Sequence, residues 1–444
     1  MLIRFTLENW MSFRDRVTFS MIASRERQHR ERVPALKSYR TSVLPMAAIC
    51  GGNASGKTNF FKAINFVRDF VVRGTQPDAM ISVEPYRLSK KHAAAPTFFA
   101  AEILVEEVIY EYSFSVTRKK VLEEKLTEIR PASEKVLFSR TADKIEFDAK
   151  FEKDEFLRFV FRGTRDNQLF LTNSVFQKVD SFQHIFNWFK NLNLIAPDAR
   201  FQPFENFFNE KSPLFDKMSE MLSHLDTGIT HLGSEKISFD LLPLPAQLKE
   251  TLKEQVSEEN TVSLIDNATS ERYLIFRKDG ELAAKKLVAY HTTAEGDEVR
   301  FNLKQESDGS LRMIDLLPAF LDMSSTKEPR VFIIDEIDRS LHTLLTRQLL
   351  ETYLAACSPS SRTQLLITTH DVLLMDQDLL RRDEMWVAER DPSGNSSLVP
   401  FSDFQDIRYD KDIRKSYLQG RLGGIPKLLI ENTPCQDPRE SMGG

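Results

Sequence analysis

The 444-residue chain has only three cysteines, Cys50, Cys357 and Cys435, which are widely separated and form no C-x-x-C pair. That excludes a disulfide framework and a zinc finger and makes a reduced, cytoplasmic compartment the simplest expectation. No apolar run approaches the ~18 residues a membrane span needs, so no membrane partner is expected. The opening Met1-Leu2-Ile3-Arg4-Phe5-Thr6-Leu7-Glu8 alternates like an amphipathic strand and lacks the basic region and apolar segment of a leader. Charge of one sign is missing too: 60 Lys plus Arg stand against 65 Asp plus Glu, a net charge of −5. A chain built mainly to wrap nucleic acid is thereby disfavoured, although a local basic surface stays open. No internal repeat is visible.

What is present, 41% hydrophobic and 28% charged residues, fits an ordinary globular α/β protein. Residues 2–8 and 15–22 read as strands. The stretch Ser24 to Arg40 is the most basic in the chain, with Arg25, Arg27, Arg30, Arg32, Lys37 and Arg40 against Glu26 and Glu31. It reads either as a solvated face or as a surface for a polyanion or an acidic partner. Residues 98–147 read as short antiparallel strands and 262–303 as strands around turn signals. Between them, Phe182, Ile185, Phe186, Trp188 and Phe189, and again Phe204, Phe207 and Phe208, recur at helical spacing that suits core better than base stacking. The expected organisation is a first lobe at 1–150, an inserted helical subdomain at 151–260, a second lobe at 261–432 and a polar, disordered tail at 433–444.

The chemistry concentrates in four places. Met46-Ala47-Ala48-Ile49-Cys50 leads as an apolar strand into Gly51-Gly52-Asn53-Ala54-Ser55-Gly56-Lys57-Thr58-Asn59, which opens an amphipathic helix. This is a complete P-loop in its confirming strand–loop–helix context. Its glycines let backbone N–H groups wrap the phosphates of ATP, Lys57 reaches the β- and γ-phosphates, and Thr58 offers a hydroxyl to Mg²⁺. Val331-Phe332-Ile333-Ile334 ends in Asp335 and Glu336, suited to holding the metal and to deprotonating water at a strand's carboxyl end. Leu365-Leu366-Ile367-Thr368-Thr369 ends at His370, which an adjacent strand position would bring to the γ-phosphate. Ser307-Asp308-Gly309-Ser310 opens a further helix, suited either to a phosphate or to simple N-capping by Ser307 or Ser310.

The order of P-loop, long insertion, Ser-x-Gly turn, Asp-Glu strand and strand-end His resembles the ABC-type P-loop ATPase heads of the SMC, RecF and OLD groups. That resemblance implies a mixed β-sheet core plus an antiparallel β subdomain. It implies a head-to-tail homodimer in which Ser307 and Gly309 act on ATP held by the other subunit, with Glu336 as catalytic glutamate and His370 as switch histidine. Asp338, in Ile337-Asp338-Arg339-Ser340-Leu341-His342, would lie at the dimer interface. A closer resemblance, across nearly the whole chain, is to RloA-like (AbiL-type) ATPases. It is carried by Glu8-Asn9-Trp10-Met11-Ser12-Phe13, the P-loop wording, Asp335 to His342 and Tyr417-Leu418-Gln419-Gly420-Arg421-Leu422-Gly423-Gly424-Ile425-Pro426. It implies bacterial anti-phage abortive infection with a separately encoded, nuclease-like effector protein. Trp10 stands where that family usually has Phe or Tyr, and no Q-loop glutamine is assigned, Gln168 being left outside the set. The stretch after His370 is shorter than the roughly 100 residues a Toprim nuclease domain takes. A RecF- or SMC-like ATPase acting directly on DNA is the alternative, and nucleic acid stays open as a partner.

Overall fold

The computed structural model describes residues 1–199, 201, 213–225, 227–258, 261–266, 269–325 and 329–404. A six-stranded sheet forms its centre, in the order Leu192–Ile195, Val331–Ile334, Gln364–Thr368, Met46–Cys50, Met385–Arg390, Ser396–Pro400. The first five strands are mutually parallel and the last is antiparallel to its neighbour. Parallel strands covered on both faces read as continuous apolar runs, which is why Val331–Ile334 falls on its expected boundaries and Gln364–Thr368 within a residue of the run at 365–369.

Alternation along these strands supplies two different cores. Ala47, Ile49, Ile333, Leu366 and Trp386 face one cluster, where they meet Phe60, Ile64 and Val67 of the helix Lys57–Arg73 and the apolar face of a seven-stranded antiparallel sheet. Met46, Ala48, Phe332, Ile334, Ile367 and Val387 face the other, where they meet Met313, Leu316 and Leu317 of the helix Asp308–Ser325 and Leu349, Leu350 and Tyr353 of the helix Thr343–Ala355. The P-loop helix and the helix opened by the Ser-x-Gly turn therefore lie on opposite faces of one sheet. The seven-stranded sheet includes Leu2–Glu8, Val17–Ser20 and the strands between Thr97 and Phe147, so the antiparallel β subdomain expected of the fold class is present.

The stretch 151–260 differs from a single helical insertion. Helices Glu155–Arg162, Phe170–Phe176 and Gln183–Lys190 pack against the seven-stranded sheet, burying Phe182, Ile185, Phe186 and Phe189 in its core. Leu192–Ile195 then enters the central sheet beside Val331–Ile334. His231–Ser238 joins a separate five-stranded antiparallel sheet with Val262–Asp266, Glu271–Lys278, Glu281–Thr292 and Glu298–Asn302. Four apolar or amide residues such as Leu192-Asn193-Leu194-Ile195 are too few to separate strand from helix by period, and only their pairing decides. Phe204, Phe207, Phe208, the segment Tyr417 to Pro426 and the tail from 433 lie outside the described residues.

Candidate nucleotide site

The Asp-Glu strand, the histidine strand and the P-loop strand are consecutive neighbours in the sheet, so their carboxyl ends open onto one crevice. A cleft of about 620 Å³ lies there, lined by residues 53–59 of the P-loop, Glu336 and His370 on one side. Its volume is that of an ordinary small-molecule site.

The loop's shape depends on glycine at two points. Gly51 has φ +153° and a Cβ there would stand 2.4 Å from the Ala388 carbonyl oxygen; Gly56 has φ +116° and a Cβ would stand 2.5 Å from Ser396 Oγ. Each is closed to any other residue by contact, and Gly56 also by its left-handed backbone. Lys57, 4% exposed, donates from Nζ to the Gly51 carbonyl at 2.6 Å and the Gly52 carbonyl at 3.1 Å, with His370 Nδ1 at 3.5 Å. Burial pushes its ammonium below the usual lysine range, opposed by Cys50, Asp335, Glu336 and Asp338. Ser55 Oγ is buried and makes no hydrogen bond. A buried cation and an unsatisfied hydroxyl beside a wrapped backbone suit a polyanion.

Thr368 organises the carboxylates. Its hydroxyl donates to Asp335 Oδ1 at 2.5 Å and accepts from the Glu336 backbone N–H at 2.8 Å. Asp335 is fully buried, and its Oδ2 accepts no hydrogen bond that meets a bonding geometry. Burial raises its carboxyl above the usual aspartate range, against the hydroxyls of Thr368 and Thr58 that hold it down. An orphaned carboxylate oxygen facing a threonine hydroxyl fits a hard cation that takes oxygen ligands. Among the described residues no cluster of three or more His, Cys, Asp or Glu could hold a metal, so the remaining ligands of such an ion would come from phosphate and water.

Glu336 has φ +49°, a strained, left-handed backbone of the kind that concentrates at functional sites. The turn sends its carboxylate toward His370, with Oε1 3.6 Å from Nε2. The His370 backbone N–H in turn donates to the two Asp338 carboxylate oxygens at 3.1 and 3.3 Å. Lys57, Thr58, Asp335, Glu336, Asp338 and His370 thus meet at one place.

Ser307 and Gly309 do not line this cleft. Ser307 Oγ accepts from the Ser310 backbone N–H at 3.1 Å, so Ser307 does cap the helix Asp308–Ser325. Gly309 packs on the loop after Glu336, where a Cβ would fall 2.9 Å from the Ser340 carbonyl oxygen. Gln168 is also elsewhere; it is buried, and its carbonyl accepts from Arg140 Nη1 at 2.8 Å.

Several lining residues escaped sequence reasoning: Met11, Ser12, the run 84–88, Arg390 and Gly394. Met11 N–H bonds the Glu84 carbonyl at 2.7 Å, Tyr86 OH bonds the Ser393 carbonyl at 2.7 Å, and Asn59 Nδ2 bonds Ser12 Oγ at 2.8 Å. Trp10 lies beneath them, its indole N–H donating to the Asn59 carbonyl at 2.9 Å. Only the opening Trp10-Met11-Ser12-Phe13 carried a signal, as part of a resemblance without an assigned role. Of the others, Arg390 ends the strand Met385–Arg390 and the rest sit on loops that have no period.

No match was found among curated proteins. Among solved structures the chain is similar to an SMC head bound to the C-winged helix domain of ScpA, at 12% identity and TM-score 0.39 over 90% of this chain and 96% of that one. It is also similar to the SMC head domain from Thermotoga maritima, at 14% identity and TM-score 0.36 over 90% of this chain and 98% of that one. Residues 46–376, from the first residue of the P-loop strand to beyond His370, match the protein family described as "AAA domain, putative AbiEii toxin, Type IV TA system". The chain belongs to this AAA-domain family.

Proposed function

We propose that the protein is an ABC-class ATPase that binds Mg·ATP at the cleft, closes head-to-tail as a homodimer around two nucleotides, and hydrolyses them. The observation that carries this reading is the meeting of Lys57, Asp335, Glu336 and His370 at the ends of three adjacent parallel strands. The P-loop N–H groups and Lys57 hold the phosphates, exchanging the Gly51 and Gly52 carbonyls for phosphate oxygens. Thr58 and Asp335 would hold Mg²⁺, which when bound neutralises charge developing on the transferred phosphoryl group. Glu336 takes the proton of the attacking water, and His370 senses the γ-phosphate beside Lys57. Met11 and Leu88 give the mouth of the cleft an apolar wall for the nucleobase.

Ser307 and Gly309 lie outside their own chain's cleft, which supports donation across the dimer. Asp338 would sit at that interface, since it already joins the His370 backbone to the loop that Gly309 packs against. ATP occupancy then sets dimer geometry through differential affinity. The wider role, an RloA-like regulator of a separately encoded effector in anti-phage abortive infection, rests on the resemblance of the motifs.

The test is the mass of Glu336→Gln by light scattering with and without Mg·ATP. An ATP-dependent doubling that Ser307→Arg abolishes supports the shared site. An unchanged mass overturns ATP-driven closure, and a doubling that survives Ser307→Arg reduces Ser307 to the helix cap it already is.

A further inference from the structure

We propose that a second cleft, lined by Arg25, Arg27, Arg30 and Arg40, binds the phosphodiester backbone of a nucleic acid. It measures about 620 Å³, is bounded by the loop of residues 23–42 together with Pro359 and Arg381, and does not touch the nucleotide cleft. The loop runs into the start of the strand Met46–Cys50, and Pro359 precedes the start of Gln364–Thr368, so the cleft opens at the end of the sheet opposite the P-loop. The inference does not rest on the ATPase reading.

Four arginine side chains line it, without counter-ions among the described residues. Arg25, Arg27, Arg30 and Arg40 are exposed, and none makes an ion pair or side-chain hydrogen bond among the described residues. By contrast the arginines beneath them are all engaged. Arg381 pairs with Asp383 at 2.7 Å and donates to the Gln28 carbonyl at 2.7 Å, and Arg32 pairs with Glu384 at 2.6 Å. Asp383 further accepts from both the backbone N–H and the hydroxyl of Ser24 at 2.7 Å. Ala35 N–H bonds the Pro359 carbonyl at 2.9 Å and Ala23 N–H bonds the Ser42 carbonyl at 2.9 Å. Buried ion pairs thus fix the loop that carries the four arginines, so an anion meets them with no ordering of the loop needed first.

The one acid in the lining does not cancel them. Glu26 is 7% exposed and its Oε1 has no hydrogen-bond partner. Burial raises its carboxyl above the usual glutamate range, opposed by Arg382 and Arg381, and its side chain lies beneath the four exposed arginines.

Composition selects the partner. Protein interfaces centre on buried apolar or aromatic anchors. None of the exposed large hydrophobic side chains lines this cleft. Without aromatics it has no platform for stacked bases either. What remains is arginine with the hydroxyls of Thr41 and Ser42, the contact set of a sequence-independent phosphate backbone.

The experiment is fluorescence anisotropy of a labelled DNA duplex with the full chain in the absence of ATP, titrated between about 50 and 200 mM salt. Four phosphate contacts give a log–log salt slope near −3.6, an affinity loss of roughly 10²-fold over that range. Replacing all four arginines by alanine should remove this binding, and replacing them by lysine should keep the slope because the contact needs only charge. The single variants Arg25→Ala and Arg40→Ala should each lower the slope by about one, which gives a reading even where the fourfold alanine variant fails to fold. Absence of salt-dependent duplex binding overturns the proposal. So does binding that the arginine variants leave unchanged, or arginine-dependent binding of polyglutamate with none of DNA.

Discussion

The P-loop and the Ser-x-Gly turn both open helices with small residues, yet the protein builds them differently. The P-loop is wedged beneath Ala388 and Ser396, its lysine is buried, and a buried hydroxyl and a buried carboxylate oxygen nearby lack partners. At the Ser-x-Gly turn, Ser307 is exposed and its hydroxyl is satisfied by its own helix. The proposed phosphate site has unsatisfied groups that a polyanion would fill; the turn is satisfied by itself and would serve a ligand only where that ligand comes to it. This contrast supports a shared site between two chains, and the variants below set its two halves against each other.

The largest expected effect belongs to Lys57→Ala. It removes the buried ammonium, the only lysine lining the cleft among the described residues, so binding of a fluorescent ATP analogue should fall below detection. Retained micromolar binding would mean that the cleft holds its ligand by something other than the P-loop. Next comes Glu336→Gln, which keeps the turn and the 2.8 Å bond from its backbone to Thr368 while removing the proposed base. Phosphate release should drop by roughly 10²–10⁴-fold with nucleotide affinity unchanged. Wild-type turnover would move the base elsewhere. Gly56→Ala should be smaller but still plain, costing roughly 2–4 kcal/mol from left-handed strain plus the clash with Ser396. A lowered denaturation midpoint measures it, and an unchanged one would show that the loop is looser than its contacts imply.

These contrasts also mark how far the sequence can be read. Buried parallel strands declare themselves, because covering both faces favours apolar residues: Val331–Ile334 is legible to the residue and Gln364–Thr368 within one, and with them the ends that carry Asp335, Glu336 and His370. The convergence of those ends requires only that the strands be neighbours, which an α/β sheet makes natural. The walls of the cleft have no such signature. Met11, Tyr86 and Gly394 reach it from three loops joined by backbone and side-chain bonds, such as Tyr86 OH to the Ser393 carbonyl. The strand His231–Ser238 is equally hidden, since His-Leu-Gly-Ser-Glu-Lys-Ile-Ser has no clean alternation and gains its conformation from pairing with Glu281–Thr292. The basic loop is visible as a charge run, but the buried Arg381–Asp383 pair that fixes it joins residues far apart in sequence from the loop it holds.

The smallest expected effect is the sharpest test of the contrast. Gly309 lies in the first turn of its helix, without the positive φ of Gly56, so alanine there gains helix propensity of up to about 1 kcal/mol. Against that gain stands a methyl group 2.9 Å from the Ser340 carbonyl oxygen, a backbone atom that must shift to admit it. The clash outweighs the gain, and Gly309→Ala should cost about 1–2 kcal/mol, read from the denaturation midpoint, less than Gly56→Ala because it carries no left-handed strain. The shift does not stop at Ser340, because the same loop carries Asp338, whose carboxylate holds the His370 backbone N–H at 3.1 Å. A several-fold loss of phosphate release in the folded protein is therefore expected, and only in the dimer if the turn serves a partner's nucleotide. Should Gly309→Ala instead destabilise the fold as much as Gly56→Ala, the turn is as tightly built as the P-loop, and the distinction between a receptor and a donated surface fails.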